Sequence, residues 1–231
     1  MERYERNFAL EGIGHEGQEK LSKARVLVIG AGGLGSPLLY YLAAVGIGNL
    51  GIIDHDIVEE SNLQRQIIHN TSNVGESKVN SAATKIALLN PYCKVVQYNT
   101  YFTETNGPEL VEAYDFVVDC CDTHAVKYLI NDICVASNVP YCHGAVLGYR
   151  GEVMTILPGT ANYRTVFNES PAEGTYDTAR EVGVLGSAAG IVGAIQATEV
   201  IKYFTGVGEL LVNTLLLIDT LKMEFHKLKV K

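Results

Sequence analysis

The chain has 231 residues, of which 47% are hydrophobic and 19% are charged, and its formal net charge is -8 at pH 7. This composition excludes an intrinsically disordered chain. The acidic balance argues against a nucleic acid as the main partner, because phosphate binding needs a basic surface. We expect one α/β domain with a single large core over residues 1–231.

The first 140 residues alternate short β-rich runs with helical patterns, which is typical of βαβ units around a parallel sheet. Strands are predicted at residues 25–29, 49–54, 94–99 and 115–120. Helices are predicted at residues 37–45, 76–89 and 125–137. The pattern indicates a Rossmann-like, mostly parallel sheet that forms an N-terminal nucleotide-binding half, about residues 1–140.

The remaining segment, about residues 141–231, is predicted to be a β-rich half. Strands are predicted at residues 141–146 and 152–157, and the segment 158–182 is predicted to be a loop of about 25 residues, long enough to indicate a functional role. Residues 184–204 begin with an uncharged run of only about 14 residues, too short to cross a bilayer, so we expect a buried helix that ends at Gly206. Two apolar runs, 210–218 and 223–228, predict a terminal hairpin.

A glycine-rich turn follows the first predicted strand. Residues 30–35 read GAGGLG, and Asp54 ends the next predicted strand about 20 residues later. Gly30, Gly32, Gly33 and Gly35 permit a tight turn and a close approach to phosphate, and the following helix contributes unpaired N–H groups. Asp54 is placed to accept hydrogen bonds from ribose hydroxyls. A turn that only packs helix on strand is the simpler alternative.

Two cations and a further carboxylate distinguish this pattern from a plain dinucleotide site. Arg65 lies in the segment SNLQRQ, and Lys78 lies in the first turn of a predicted helix. Two cations suit a triphosphate, whose charge must be neutralised as pyrophosphate leaves. Asp122 follows a parallel strand, where such sheets present ligand groups, and its carboxylate can hold Mg²⁺. Each residue alone is equally compatible with a solvated surface or a helix cap.

Several longer motifs occur along the chain. They are RYER at 3–6, EGQ at 16–18, ARVLVIGAGGLGSP at 24–37, SNLQRQ at 61–66, VGESK at 74–78, NP at 90–91, DCCD at 119–122, HGAVLG at 143–148 and GVLG at 183–186. In this order they resemble the ThiF/MoeB/HesA family, the bacterial relatives of ubiquitin-activating enzymes, over nearly the whole chain.

The resemblance implies an adenylyltransferase that uses ATP and Mg²⁺. Its substrate would be the C-terminal Gly-Gly carboxylate of a small ubiquitin-like sulfur carrier protein of the ThiS/MoaD type, bound by the C-terminal half. The products would be the carrier acyl-adenylate and pyrophosphate. Besides the glycines, the implied ATP contacts are Asp54, Ser61, Asn62, Leu63, Gln64, Arg65, Lys78, Asp122 and Thr123. Arg65, Lys78 and Asp122 form the implied catalytic set with Arg6, which matches an arginine contributed across the interface of a homodimer.

The chain departs from the family pattern in three places. Asn162 and Thr165 stand where zinc-binding members carry a CxxC pair, and no second pair follows, so we expect no zinc. Ala179 stands where many members carry a reactive cysteine, which argues against a covalent thioester at that position. Thr123 replaces the usual asparagine but retains one hydrogen-bonding group. The five cysteines fit reduced core residues.

Alternative functions remain open from the sequence. The second hypothesis is an NAD-dependent oxidoreductase, which accounts for the glycine-rich turn and Asp54 but gives Arg65 and Lys78 no role. Adenylation of another peptide or small carboxylate, and a non-enzymatic binding module, are further alternatives. The charged segment MERYERNFALEG lacks the apolar run of a secretory signal, so a cytoplasmic protein without membrane or nucleic-acid partners is expected.

Overall fold

The computed structural model describes residues 2–169 and 179–231, and for residues 179 and 180 it describes the backbone alone. Its helices are α1 Glu5–Phe8, α2 Gly14–Lys23, α3 Gly35–Val45, α4 Lys78–Leu89, α5 Gly107–Glu112, α6 His124–Ala136, α7 Tyr163–Val166, α8 Ala179–Val182 and α9 Gly186–Thr205. Its strands are β1 Arg25–Ile29, β2 Asn49–Ile53, β3 Lys94–Tyr98, β4 Phe116–Asp119, β5 Tyr141–Leu147, β6 Arg150–Ile156, β7 Thr214–Asp219 and β8 Glu224–Lys229. Short 3₁₀ turns lie at Glu2–Tyr4, Glu60–Asn62 and Thr71–Asn73.

The strands form one eight-stranded sheet in the order β3-β2-β1-β4-β5-β6-β7-β8. The first five are parallel, and β6, β7 and β8 continue the sheet in antiparallel fashion. The chain moves outward from β1 to β3 and then returns to the other side of β1 with β4. The carboxyl ends of β1 and β4 therefore border the crevice in which open α/β sheets bind ligands.

Each face of the sheet is covered by its own helices. Val26 and Val28 of β1 pack into one core cluster with residues of α3, α4 and α9. Leu27 and Ile29 point to the opposite face and pack with residues of α5 and α6. Because both faces of β1 are buried, the strand is apolar throughout instead of alternating, as expected for a central parallel strand.

The long C-terminal helix α9 packs directly against the glycine-rich region. A Cβ at Gly186 would lie 2.5 Å from the carbonyl oxygen of Gln64, and one at Gly193 would overlap the carbonyl of Leu34. Val192 and Val200 are fully buried, and the helix ends at Gly206 in a left-handed conformation with a φ of 77°. The predictions of a buried helix and of its stop are confirmed. Within residues 2–169 and 179–231, no helix is both long and apolar enough to span a membrane.

The structure corrects several predicted boundaries. The strand expected from residue 210 begins at Thr214. The buried Leu211 still accepts a backbone hydrogen bond from the Thr155 N–H of β6 (3.1 Å), but its own N–H donates to the side chain of Glu199 (2.7 Å) instead of to a strand. Helix α3 begins at Gly35, two residues before the predicted start. The expected loop at 158–182 contains the short helices α7 and α8, and its residues 170–178 lie outside the described part of the chain.

Besides α7 and α8, three helices had no counterpart in the sequence prediction. They are α1, α2 and α5, and only α2 exceeds six residues. The sequence of α2 is largely polar, and its buried side is restricted to Gly17, Gln18 and Leu21. A helix with so narrow an apolar stripe gives little periodic signal.

Candidate active site

The glycine-rich turn is closed by two contacts that exclude side chains. Gly30 has a φ of 102°, and a Cβ there would lie 2.7 Å from the carbonyl oxygen of Cys120 on the neighbouring β4 connection. A Cβ at Gly35 would overlap the carbonyl of Gly30. The turn therefore requires glycine at both positions. It leads into α3, whose N-terminal end carries a positive partial charge suited to an anion.

Asp54 lies beside this turn, directly after β2. Its Oδ2 accepts a hydrogen bond from the Ala31 N–H (2.8 Å), and its Oδ1 accepts one from the Asp56 N–H (2.9 Å). Each carboxylate oxygen has a second lone pair for a ligand hydroxyl. The two backbone contacts fix the carboxylate, and its contact with a ribose stays a prediction.

Lys78 begins α4, and only 7% of its side chain is exposed. Its Nζ donates to Asp56 Oδ2 (2.7 Å), and its own N–H donates to the Asp56 carbonyl (3.0 Å). The sequence analysis had not identified Asp56, whose side chain is 49% exposed. Lys78 is therefore held at the cavity by a partner that water can solvate.

A cavity of about 350 Å³ brings many of these groups together. Of the predicted site residues, Gly30, Gly32, Asp54, Lys78, Asp122 and Thr123 line it. Gln66, which was not predicted, also lines it and is 5% exposed. Its Oε1 is buried without a hydrogen-bond partner in the part of the chain that the structure describes. A buried side-chain amide oxygen without a partner, next to the glycine-rich turn, suits a cavity that binds a polar ligand.

The other residues that were predicted to contact ATP do not line this cavity. Arg65 Nη1 donates to the Ser61 carbonyl (3.1 Å), and the Arg65 Cγ would lie 3.7 Å from a Cβ at Gly33. Asn62 is 7% exposed, and its Oδ1 accepts from the Glu59 N–H (3.2 Å). Leu63 and Gln64 continue the same segment, which α9 covers at Gly186. This segment supports the turn, and its predicted contacts with ATP stay predictions.

Arg6 lies far from the cavity within one chain. It is an exposed residue of α1. The neighbouring Asn7 donates to the Val45 carbonyl (3.3 Å) at the C-terminal end of α3, whereas the glycine-rich turn lies at the N-terminal end of α3. Arg6 does not line the cavity, and its predicted role across a dimer interface stays a prediction.

A buried cluster of four ionisable side chains lies below the β4–α6 connection. Lys127 Nζ donates to both oxygens of Asp119 (3.2 and 3.0 Å) and to the Gly144 carbonyl (2.7 Å). His143 Nδ1 lies 2.8 Å from Asp119 Oδ2, and His143 Nε2 lies 3.2 Å from Glu152 Oε1. Asp119, Lys127 and His143 are at most 4% exposed.

The cluster holds its charges by mutual contact. Burial opposes ionisation of Asp119, but Lys127 and His143 outweigh it and lower the pKa of Asp119. Burial likewise disfavours charged Lys127, and the carboxylate of Asp119 reverses that effect and raises the pKa of Lys127. Burial also opposes ionisation of Glu152, but its hydrogen bond to His143 and the positive charge of His143 outweigh burial and lower the pKa of Glu152.

The sequence analysis quoted His143 in a motif without giving it a role and did not consider Lys127 or Glu152. The signal that joins Asp119 to His143 is their register, because these residues face each other on the paired strands β4 and β5. That register depends on which strand lies beside β4, which is information that no local motif contains.

A second, larger cavity of about 850 Å³ adjoins the first. The two share Cys121, Asp122 and Thr123 as a common wall. Apolar residues of β5 and β7 line much of the larger cavity, and Lys127 and Glu152 reach it from the buried cluster. The apolar lining includes Ala145, Val146, Leu147, Phe167, Leu217 and Ile218. We call this larger cavity the channel.

Carboxylates near the smaller cavity could also contact a cation. Donor atoms of Asp54, His55 and Asp56 lie within 4.8 Å of one another. However, Asp56 already binds Lys78, and Asp54 already accepts two backbone N–H groups. Asp122, which borders both cavities, remains the predicted Mg²⁺ ligand.

The five cysteines are free. Cys93, Cys120, Cys134 and Cys142 are buried, and Cys121 is half-buried. Burial raises the pKa of each thiol above its usual value. The prediction that the cysteines are core residues is confirmed for four of them, and none of the five is a reactive thiolate at neutral pH.

Together, the 3-2-1-4-5 parallel order, the glycine-rich turn and the acidic side chain after β2 define a Rossmann-type nucleotide-binding protein. Residues 4–231 match the model of the ThiF family. The chain belongs to the ThiF family, as its motifs had indicated.

Curated relatives cover nearly all of the chain. A SAMP-activating enzyme E1 from Haloferax volcanii is 42% identical over 226 residues, which are 98% of this chain and 84% of that protein. A sulfur carrier protein adenylyltransferase from Thermus thermophilus is 39% identical over 237 residues, with 100% of this chain and 88% of that protein covered. Other relatives are longer, and the chain spans 60% of the Mycobacterium tuberculosis adenylyltransferase/sulfurtransferase MoeZ.

Solved structures support the fold. The chain superposes on Escherichia coli MccB in a crystal structure with ATP, with a TM-score of 0.86 and 22% identity, over 100% of this chain and 72% of that one. The structure of PaaA gives a TM-score of 0.83 over 99% of this chain and 73% of that chain. At this identity the likeness concerns the fold, and the predicted Rossmann-like sheet is confirmed.

Proposed function

We propose that the protein adenylates the C-terminal carboxylate of a small ubiquitin-like sulfur carrier protein of the ThiS/MoaD type, with ATP as co-substrate. The observation that carries this proposal is the common wall of the two cavities. A nucleotide in the smaller cavity and a chain terminus in the channel would meet at Cys121, Asp122 and Thr123. Relatives named sulfur carrier protein adenylyltransferase and SAMP-activating enzyme E1 support the same reaction.

The reaction is a substitution at the α-phosphorus of ATP. A carboxylate oxygen of the carrier forms the new O–P bond, the bond from the α-phosphorus to the bridging oxygen breaks, and that oxygen leaves with pyrophosphate. No protein nucleophile is required. Catalysis then consists of alignment and stabilisation of charge, which are the main contributions of proteins to phosphoryl-type transfers.

The buried Lys78 is proposed to neutralise phosphate charge, and Arg65 is proposed to add a second cation once its guanidinium leaves the Ser61 carbonyl. Asp122 is proposed to hold Mg²⁺, which when bound offsets the charge of the phosphates. Asp54 would orient the ribose, since its carboxylate is already fixed by Ala31 and Asp56. The presence of Asp54, the buried Lys78 and Asp122 in the lining of one cavity supports this proposal.

The channel is proposed to hold the extended tail of the carrier. Its floor is formed by the β5–β7 portion of the sheet and is largely apolar, which suits a segment whose side chains are small. A Gly-Gly end would bring the terminal carboxylate to the common wall without a Cβ to obstruct it. A homodimer is proposed to complete the site, with Arg6 of one protomer placed near the nucleotide of its partner.

The test is ATP–pyrophosphate exchange with purified candidate carriers. We expect exchange with a carrier that ends in Gly-Gly and none with the same carrier lacking its last two residues. The truncated carrier is the matched control, because its folded surface is unchanged. Exchange with the truncated carrier, or with a short peptide carboxylate alone, would indicate the alternative substrate class.

Absence of exchange with every carrier, combined with ATP binding, would favour a binding module. Nicotinamide-dependent reduction would favour the oxidoreductase hypothesis. Cytoplasmic location and the absence of zinc stay predictions, and elemental analysis of the purified protein tests the second.

A further inference from the structure

The loop that carries Asp122 lies against the buried carboxylate of Asp119. Asp119 Oδ1 accepts a hydrogen bond from the Cys121 N–H (3.0 Å), one residue before Asp122. The same carboxylate binds Lys127 Nζ, which comes from the first turn of α6 on the other side of the loop. Both sides of the β4–α6 connection are therefore attached to the Asp119 carboxylate, and backbone hydrogen bonds from the Cys120 N–H to the Ile29 carbonyl (2.9 Å) and from the Lys127 N–H to the Thr123 carbonyl (3.2 Å) also hold it.

His143 links that carboxylate to the wall of the channel. Its ring nitrogens lie 2.8 Å from Asp119 Oδ2 and 3.2 Å from Glu152 Oε1. Ionised carboxylates only accept hydrogen bonds, so both contacts are hydrogen bonds only when both ring nitrogens carry protons. We propose that His143 is a positioning residue that, as an imidazolium bridging Asp119 and Glu152, holds the Asp122 loop in place for adenylation.

The charge balance of the cluster requires the same protonation state. Asp119 and Glu152 contribute two negative charges, and Lys127 contributes one positive charge. With a neutral imidazole the cluster would keep one unbalanced negative charge around a His143 side chain that is 2% exposed. An uncompensated buried charge is costly, whereas a protonated His143 makes the cluster neutral.

The groups that face His143 come from several elements. Asp119 lies on β4 and Glu152 on β6, while Lys127 and His124 come from α6. The ring of Tyr163 from α7 lies 4.8 Å from the His143 ring, centroid to centroid. On the α9 side the neighbour is the neutral Gln196, which donates to the Asp119 carbonyl (2.8 Å).

These surroundings determine the direction of the pH dependence. Burial alone would lower the pKa of His143, but the hydrogen bonds to Asp119 and Glu152 outweigh it and raise that pKa above the ordinary value. A group whose pKa is raised on folding stabilises the protein below its unfolded-state pKa. That stabilisation is lost as pH rises through the raised value. The arrangement should therefore weaken on the alkaline side.

The first experiment is independent of any enzymatic activity. In ¹⁵N spectra of the imidazole ring, both nitrogens of His143 should be protonated at neutral pH in the full-length protein. The Glu152→Gln variant should lower the pKa of His143 relative to wild type, because one of its two anionic partners becomes neutral. A His143 with one protonated nitrogen at neutral pH, or a pKa unchanged by Glu152→Gln, would overturn the proposal.

The second experiment combines substitutions and deepens the proposed function, on which its kinetic part rests. His143→Gln leaves one buried negative charge unbalanced, and we expect pyrophosphate exchange to fall roughly 10- to 100-fold as Asp122 loses its position. The double variant His143→Gln/Glu152→Gln restores neutrality and should recover most of the loss in both exchange and thermal midpoint. His15→Gln, an exposed histidine of α2, is the matched control and should behave as wild type.

The pH profile separates positioning from a merely structural role. In wild type the alkaline decline of exchange should follow the pKa of His143 measured by NMR, and Glu152→Gln should shift both values together to lower pH. A double variant no better than His143→Gln, or a decline that does not move with Glu152→Gln, would overturn the proposal. If no carrier supports exchange, the thermal midpoints and the ring spectra still test whether His143 is protonated and balances the charges of the cluster. Failure of the proposed function can therefore be distinguished from failure of this proposal.

Discussion

Substitution of each of two buried lysines by methionine should lower the stability of this protein by clearly different amounts. Lys78 Nζ contacts Asp56, whose side chain is 49% exposed, whereas Lys127 Nζ contacts Asp119, whose side chain is 1% exposed. Methionine retains most of the aliphatic stem and removes the charge. Lys78→Met and Lys127→Met therefore test whether a lysine serves the ligand or the fold.

The stability changes follow from the partner that each substitution leaves behind. Water can solvate Asp56 once Lys78 is gone, so the loss should stay within about 1 kcal/mol, the range of exposed ion pairs. Without Lys127 the buried cluster of Asp119, Glu152 and His143 would keep one uncompensated negative charge, which costs about 3–5 kcal/mol. For a chain of this size those losses correspond to thermal midpoints lower by at most roughly 4 °C and by roughly 6–20 °C, respectively.

The activity of the Lys78 variant should fall although its fold is intact. Loss of one preorganised charge contact lowers rates by about 10²- to 10³-fold. We expect that decrease in ATP–pyrophosphate exchange at saturating carrier, with circular dichroism unfolding measured at one protein concentration because oligomers unfold in a concentration-dependent way. A near-normal rate in Lys78→Met would refute the assignment of Lys78 to the phosphates. A large drop in its thermal midpoint would instead assign Lys78 to the fold.

Three further predictions follow from the geometry. Gly35→Ala should abolish measurable nucleotide binding in titration calorimetry, because a Cβ there overlaps the carbonyl of Gly30, and unchanged affinity would contradict the close turn. Enzyme, carrier and Mg-ATP should give no covalent adduct on non-reducing gels or by intact mass, because burial raises the pKa of the cysteine thiols, Cys121 included; a reductant-sensitive adduct would contradict this. Arg6→Ala should lose exchange activity. If Arg6 acts across a dimer, part of that activity should return when the variant is mixed with an inactive Lys78→Met protein. Absence of recovery would argue against that arrangement.

Some parts of the fold could be predicted because their signal is local. The glycine-rich turn, the strand before it and Asp54 after the next strand all lie within residues 25–54, and one βαβ unit determines their relation. Lys78 was proposed for the site because it lies in the first turn of a predicted helix, and the structure places it as the first residue of α4. Helix α2 gave no such signal, since polar residues dominate it and only three of its residues are buried.

Other features depend on which strands become neighbours. The segment at 210–213 has the apolar composition of a strand. However, Oε2 of Glu199 in α9 accepts the hydrogen bond of the Leu211 N–H (2.7 Å). The Thr155 hydroxyl donates to the same carboxylate oxygen (2.6 Å). A buried acceptor of this kind competes with the sheet for backbone donors. The composition of the segment does not reveal this competing acceptor, because Glu199 lies 12 residues away on a helix.

The buried charge cluster shows the same limit at the site itself. Motifs identify Asp122 because it is an acidic residue at a strand end, which is a statement about one position. The structure adds that Asp119, three residues earlier, accepts a hydrogen bond from the Cys121 N–H beside Asp122 and belongs to a cluster whose other members come from α6, β5 and β6. Residues that touch a nucleotide are recognisable by type and spacing, whereas the residues that orient them are defined by pairing across the sheet. Variation at His143 or Glu152 can therefore alter the reaction while every motif that identifies the family remains intact.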